Sequence, residues 1–255
     1  MTYKESHKSS LELTALLLIA AFACMPNILE PFASANWLPK WNCLAWTFFS
    51  LVTTVKCFWV ARQLEQNIRF GWLLIGLGCF AWFLGQLVWD YHLIVLNDYP
   101  VFPSYADVGY LGLAPLLLVG MLKLHARKVG LRYSLIQLAR VGIILIGILL
   151  IHSIYYSGLI SSRDISFAYL VSALYVFLLV QDDKNKHKLK VHYMLLLGVL
   201  IHAIPNTLYA YIVLYLKAYN NFLFDISWIL AFIPIYAAAK FQVQAETTSP
   251  LDSQK

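Results

Sequence analysis

Three aspartates and a histidine stand in or beside long apolar runs, where an ionisable group is costly and usually has a purpose. Asp90 closes "GQLVWD", Asp107 follows "PSYA", Asp225 opens "DISWIL", and His202 interrupts "LLLGVLIHAIPNTLYAY". Asp107 and Asp225 could form an acid–base pair. His92, His152 and His202 with nearby aspartates could offer zinc ligands, but no H-x-x-x-H or similar ligand spacing occurs. The nucleophile motifs G-x-S-x-G and S-x-x-K and the zinc motif H-E-x-x-H are also missing. The last two apolar runs lack a mid-span lysine for a Schiff base. No metal, cofactor or catalytic residue is therefore expected.

The same residues have a second use, in binding. His202, Asn206 and Tyr209 recur at i, i+4 and i+7, which is one helical face. Trp82, Gln86 and Trp89 repeat that spacing, as do Asp225, Trp228 and Phe232. With Asp90, Asp107 and Tyr110 they predict a polar-lined, aromatic-walled cavity for a small or lipidic ligand. At 1.5 Å rise per residue His202 lies near the middle of its run and the others lie outward of it. A competing account makes them interhelical hydrogen bonds that only fix packing, worth about 0.6 kcal/mol per pair. Ser104 and Asp107 also have a local explanation, as a capping box opening a helix after Pro103.

The elements that carry these residues are legible in the composition. Of 255 residues 60% are hydrophobic and 13% charged, against about 25% charged in soluble domains. Such a chain needs a bilayer as solvent, and its runs are apolar on every side, which excludes an alternating β-barrel pattern. Charges and breakers divide it into eight spans, giving an all-α integral membrane bundle over 11–241. The spans are Leu11–Leu29, Trp41–Ala61, Phe70–Leu96, Ser104–Leu124, Ser134–Ser157, Ile165–Gln181, Val191–Leu216 and Phe222–Phe241. Residues 1–10 and 242–255 read as polar tails. Lys4 and Lys8 before a run containing "AFAC" faintly resemble a cleavable signal, but the run continues past Cys24, which favours a first span.

Orientation follows from the basic residues. Lys4, Lys8, Arg62, Arg69, Lys123, Arg127, Lys128, Arg132 and four lysines of "DDKNKHKLK" fall on one side. Lys40, Arg163 and Lys217 fall on the other. Both termini are thus expected in the cytoplasm. Lys56 and Arg140 are expected near cytoplasmic helix ends, with snorkelling stems. The net charge of +6 is accounted for by these loops and implies no nucleic-acid partner. Cys24, Cys43, Cys57 and Cys79 read as small buried hydrophobes. Pro205 and Pro234 are the mid-helix proline candidates.

The order of motifs resembles a known module. "GLGCFAWFLGQLVWDY", "FPSYADVGYLGLAPLLLVGML", "IPNTLYAY" and "LFDISWILAFIPIYAAA" are similar to the N-terminal multi-helix sensor region of bacterial diguanylate cyclases and cyclic-di-GMP phosphodiesterases, the GGDEF/EAL proteins. The family's P-S-x-A-D-x-x-Y-L turn falls on Pro103, Ser104, Ala106, Asp107, Tyr110 and Leu111. Its final D-x-x-W falls on Asp225 and Trp228, before Ala237 to Ala239. The resemblance spans roughly Gly71 to Ala239. It implies a multi-pass bacterial inner-membrane sensor that signals to a cytoplasmic domain. Two departures stand out: "AYLVSALY" lacks the family's proline and aspartate, and Asn206 replaces its usual aspartate. No GGDEF or EAL motif follows, so a cytoplasmic or membrane signalling partner is expected to read the signal. A lysoplasmalogenase-like lipid hydrolase is the runner-up, and a small-molecule transporter comes third.

Overall fold

The computed structural model describes residues 3–29, 37–98, 104–125, 186–211 and 222–248. Among these, every regular element is helical and there is no strand. In chain order they are α1 (Tyr3–Leu29), α2 (Leu38–Gln63), α3 (Gln66–Asp90) with a π-helical continuation (Tyr91–Leu96), α4 (Tyr105–His125), α5 (Lys186–Tyr211) and α6 (Phe222–Thr248). The expected spans Ser134–Ser157 and Ile165–Gln181 lie outside the described residues.

Four stretches are long and apolar enough to cross a bilayer: Leu11–Ile28, Leu38–Gln63, Ile68–Leu96 and Phe224–Glu246. α4 and α5 carry shorter apolar stretches, Val108–Leu124 and Lys190–Pro205. The helices begin and end for local reasons. Pro39, in the first turn of α2, lacks only an amide hydrogen that a helix start leaves unbonded. α2 stops at Leu64, whose extended backbone turns the chain, and Arg69 Nε returns to cap the Ala61 carbonyl at 3.2 Å. Two residues thus reverse the chain into α3.

α3 and α4 approach so closely at Gly85 and Gly109 that no side chain fits at either position. A Cβ on Gly85 would sit 2.6 Å from the Ala106 carbonyl oxygen, and Gly109 faces Gly85 backbone to backbone. Small residues allow this approach where the solvent is hydrocarbon and packing must supply the attraction. α2 packs between α3 and α6, α5 lies along α6, and α1 touches α2 and α6. Trp72, Phe49, Phe232 and Ile75 form the centre. α1 instead presents Leu17, Leu18, Phe22, Met25 and Ile28 outward, the surface expected against lipid acyl chains.

α1 starts at Tyr3 and α6 continues to Thr248, so helix extends into the segments read as polar tails. The polar residues there are adequate helix formers, and Gln242 Nε2 donates to Glu246 Oε1 one turn on, at 3.2 Å. Pro26 and Pro115 lie inside helices as well as Pro205 and Pro234, and all four helices continue through them. Neighbouring groups satisfy nearby carbonyls, as Trp41 Nε1 does for Ala23 at 3.0 Å beside Pro26. Finally, Lys56 does not snorkel. It is buried and its Nζ pairs with Glu12 Oε1 of α1 at 2.7 Å.

Candidate functional site

α2 has a polar buried face that bonds to α1, α3 and α6. Asn42 starts this face, one turn into the helix. Its Nδ2 donates to Asn27 Oδ1 of α1 at 2.8 Å and to Asp225 Oδ2 of α6 at 2.7 Å. Asn27 Nδ2 returns a bond to Asn42 Oδ1 at 2.8 Å. One amide therefore ties three helices together with both of its hydrogens and its oxygen in use. The Trp46 indole, one turn further, donates to the Asp225 backbone carbonyl at 3.1 Å and meets the Trp228 ring edge-on, 5.1 Å between centroids.

A second chain begins at Thr47. Its hydroxyl donates to Asp90 Oδ2 at 2.5 Å. Gln86 Nε2 donates to Asp90 Oδ1 at 2.9 Å, and the Tyr110 hydroxyl donates to Gln86 Oε1 at 2.9 Å. α2, α3 and α4 are joined in that order. Cys43, next to Asn42 on α2, is buried and free. Below Gln86, Trp82 forms an aromatic floor with Tyr110 at 4.4 Å, His202 at 4.3 Å and Phe232 at 6.0 Å. Trp89 lies 6.4 Å from Tyr110. Trp82 is 6% exposed, and its Nε1 has no hydrogen-bond partner among the described residues.

All of these groups lie at one end of the bundle, where α1, α3 and α5 finish and α2, α4 and α6 start. The structure brings together Gln86, Trp89, Asp90 and Tyr110 as one group, reaches His202 through Trp82, and joins Asp225 to Trp228 through Trp46. Asp107, Asn206 and Tyr209 lie on α4 and α5 near the same end, but their side chains lie outside the described residues. Ser104 precedes the first helical residue, Tyr105, as an N-cap should. Asn27, Asn42, Cys43 and Thr47 complete the site and were not expected. α3 ends in a π-helical turn directly after Asp90, closed by Asn97 in the left-handed region at φ 52°. Such turns recur at functional sites because they re-aim the residues beside them.

The opposite end carries a different chemistry. Besides the Lys56–Glu12 pair, the Tyr236 hydroxyl donates to Glu12 Oε1. Lys56 Nζ sits 4.6 Å from the Trp59 ring and 5.1 Å from that of Tyr236. Along α1, α2 and α6 the two ends are about 22 Å apart, counting Glu12–Asn27, Asn42–Lys56 and Asp225–Lys240. A hydrocarbon layer is about 30 Å thick, so both clusters fall within it or at its borders.

Asp90 and Asp225 each accept from neutral side chains of α2, and no group of three metal-ligating side chains occurs among the described residues. All four cysteines are buried and free.

No family model, no curated protein and no solved structure matches this chain.

Proposed function

We propose that the protein is a membrane sensor module of eight helices with both termini in the bacterial cytoplasm. A small or lipidic ligand occupies its outer half, and a cytoplasmic or membrane partner reads the result. The observation that carries this reading is the position of α2. Thr47 holds it to α3 through Asp90, and Asn42 holds it to α6 through Asp225. A ligand that takes over either carboxylate frees α2 from one neighbour, and the far end of the same helix carries the buried Lys56. Such a ligand must bind the two packings with different affinity, or nothing is relayed.

Further support comes from Trp82, whose buried indole N–H has no acceptor among the described residues, and from the family resemblance in "PSYADVGYL" and "DISW". The lipid-hydrolase alternative needs Asp107 and Asp225 as partners in proton transfer. It gains nothing from the hydrogen bond that Asp225 accepts from Asn42. Native mass spectrometry of protein extracted gently from its own membranes tests the proposal. The expected result is one stoichiometric small-molecule adduct, lost in Asp90→Asn. A bare chain, or one whose adduct survives that substitution, overturns it.

A further inference from the structure

Trp82 of α3 stands where four helices meet. Its ring lies 4.4 Å from that of Tyr110 on α4, 4.3 Å from that of His202 on α5 and 6.0 Å from that of Phe232 on α6. Its indole Nε1 is buried and has no acceptor among the described residues. An indole nitrogen can only donate, and a buried donor left unbonded costs about 1–3 kcal/mol. A native fold keeps such a group for a reason. Trp72 shares the condition, but it is 0% exposed in the apolar centre of the bundle. Trp82 differs in its walls, because Tyr110, His202 and Trp89 each keep part of their surface exposed.

The surroundings restrict what fits there. Aromatic rings make walls for a flat apolar body, and a single donor fixes its orientation. The hydrocarbon layer disfavours any charge, and the Asp90 carboxylate, reached through Gln86, repels an anion in particular. The matching acceptor is therefore a neutral oxygen. Gln86, one turn beyond Trp82, accepts from the Tyr110 hydroxyl at 2.9 Å and donates to Asp90 at 2.9 Å. Because Nε1 is closed to water, an incoming oxygen must part the indole from Tyr110 or His202. Moving Tyr110 pulls on Gln86, and through Asp90 on Thr47 of α2.

We propose that Trp82 anchors a binding site for a planar, uncharged, lipid-soluble carbonyl compound, with a quinone as the simplest member of that class. The carbonyl oxygen accepts from Trp82 Nε1, the flat body lies against Tyr110 and His202, and an apolar tail runs into the lipid. This assignment rests on the sensor reading above and gives its ligand a chemical class.

The test uses the full chain in a neutral detergent, titrated with decylubiquinone and read by native mass spectrometry. One decylubiquinone should be retained in preference to decylbenzene, which has a ring and the same tail but no carbonyl. Trp82→Phe keeps a ring and removes the N–H, and should weaken retention about fivefold. Trp59→Phe, on the exposed face of α2, should leave it unchanged. Should Trp82→Phe fail to fold, the comparison of the two probes on the unaltered chain carries the test. Equal retention of both probes, or retention untouched by Trp82→Phe, would overturn the site. Displacement of decylubiquinone by phosphatidylcholine would assign the oxygen to an acyl ester and overturn the planar ligand. Failure to retain decylubiquinone, while the adduct from native membranes persists and is lost in Asp90→Asn, would overturn this assignment and leave the sensor reading standing. Absence of both would overturn the two together.

Discussion

The two ends of this bundle solve one problem, polar groups in hydrocarbon, with opposite materials. At one end short side chains (Asn27, Asn42, Thr47, Gln86) surround two aspartates with neutral donors. At the other, long side chains carry full charges, and Glu12 is still 43% exposed along its side chain. Short amides and hydroxyls bond in one helix register only, so an axial shift of an ångström or two breaks them. Lysine stems bend to follow such a shift. The aspartate end therefore sets where the helices sit, and the lysine end tolerates where they go.

Substitutions can break that contrast, and the largest effect is expected at Asn42. Asn42→Leu removes one donor from both Asn27 and the Asp225 carboxylate and should cost about 3 kcal/mol. Reversible unfolding in mixed micelles measures it, and a loss below about 1 kcal/mol would show that Asn42 is replaceable by packing. Lys56→Met should cost less, about 1–2 kcal/mol, because Glu12 can reach polar surroundings once released. Adding Glu12→Gln to it should restore part of the loss; if the double variant is worse, the pair is not what holds α1.

Finer substitutions sharpen the comparison within the aspartate end. Thr47→Val keeps the shape of the side chain but removes the hydroxyl from Asp90, for about 1.5 kcal/mol, and Thr47→Ser should keep most of the stability. Equal behaviour of the two variants in thermal unfolding would remove the hydrogen bond from the account. Tyr110→Phe is the smallest change, about 0.6 kcal/mol, in line with average polar contacts between helices in membranes. Its hydroxyl completes Gln86, which keeps Asp90 as its other partner. Indole fluorescence of the Trp82 and Trp89 region should shift in Tyr110→Phe even where the melting curve does not.

Hydropathy made the four long spans readable, because lipid demands about 20 apolar residues in sequence and little else does. The continuation of α3 to Leu96 was readable for the same reason, although the switch to a π turn was not. Among the site residues, Gln86, Asp90 and Asp225 announced themselves as polar groups in apolar helices. Their donors did not. Thr47 looks like any span residue, and threonines such as Thr54 satisfy themselves on their own helix, bonding to the Ser50 carbonyl at 2.8 Å. Lys56 was misjudged because its position near a helix end suggested an escape to water, while its partner, Glu12, belongs to another helix. Periodicity assigns a residue to a face; it does not say which helix that face meets.

Asn42 and Asp225 are 183 positions apart in the chain. At a synthesis rate of about 5–20 residues per second, the carboxylate is made about 10–40 seconds after the amide that receives it. Asn27 is already present and can occupy one hydrogen of Asn42 while the other waits. The bonds from α2 to Asp225 are thus the last of that cluster to form, and α2 spends the interval with an open socket for the final helix.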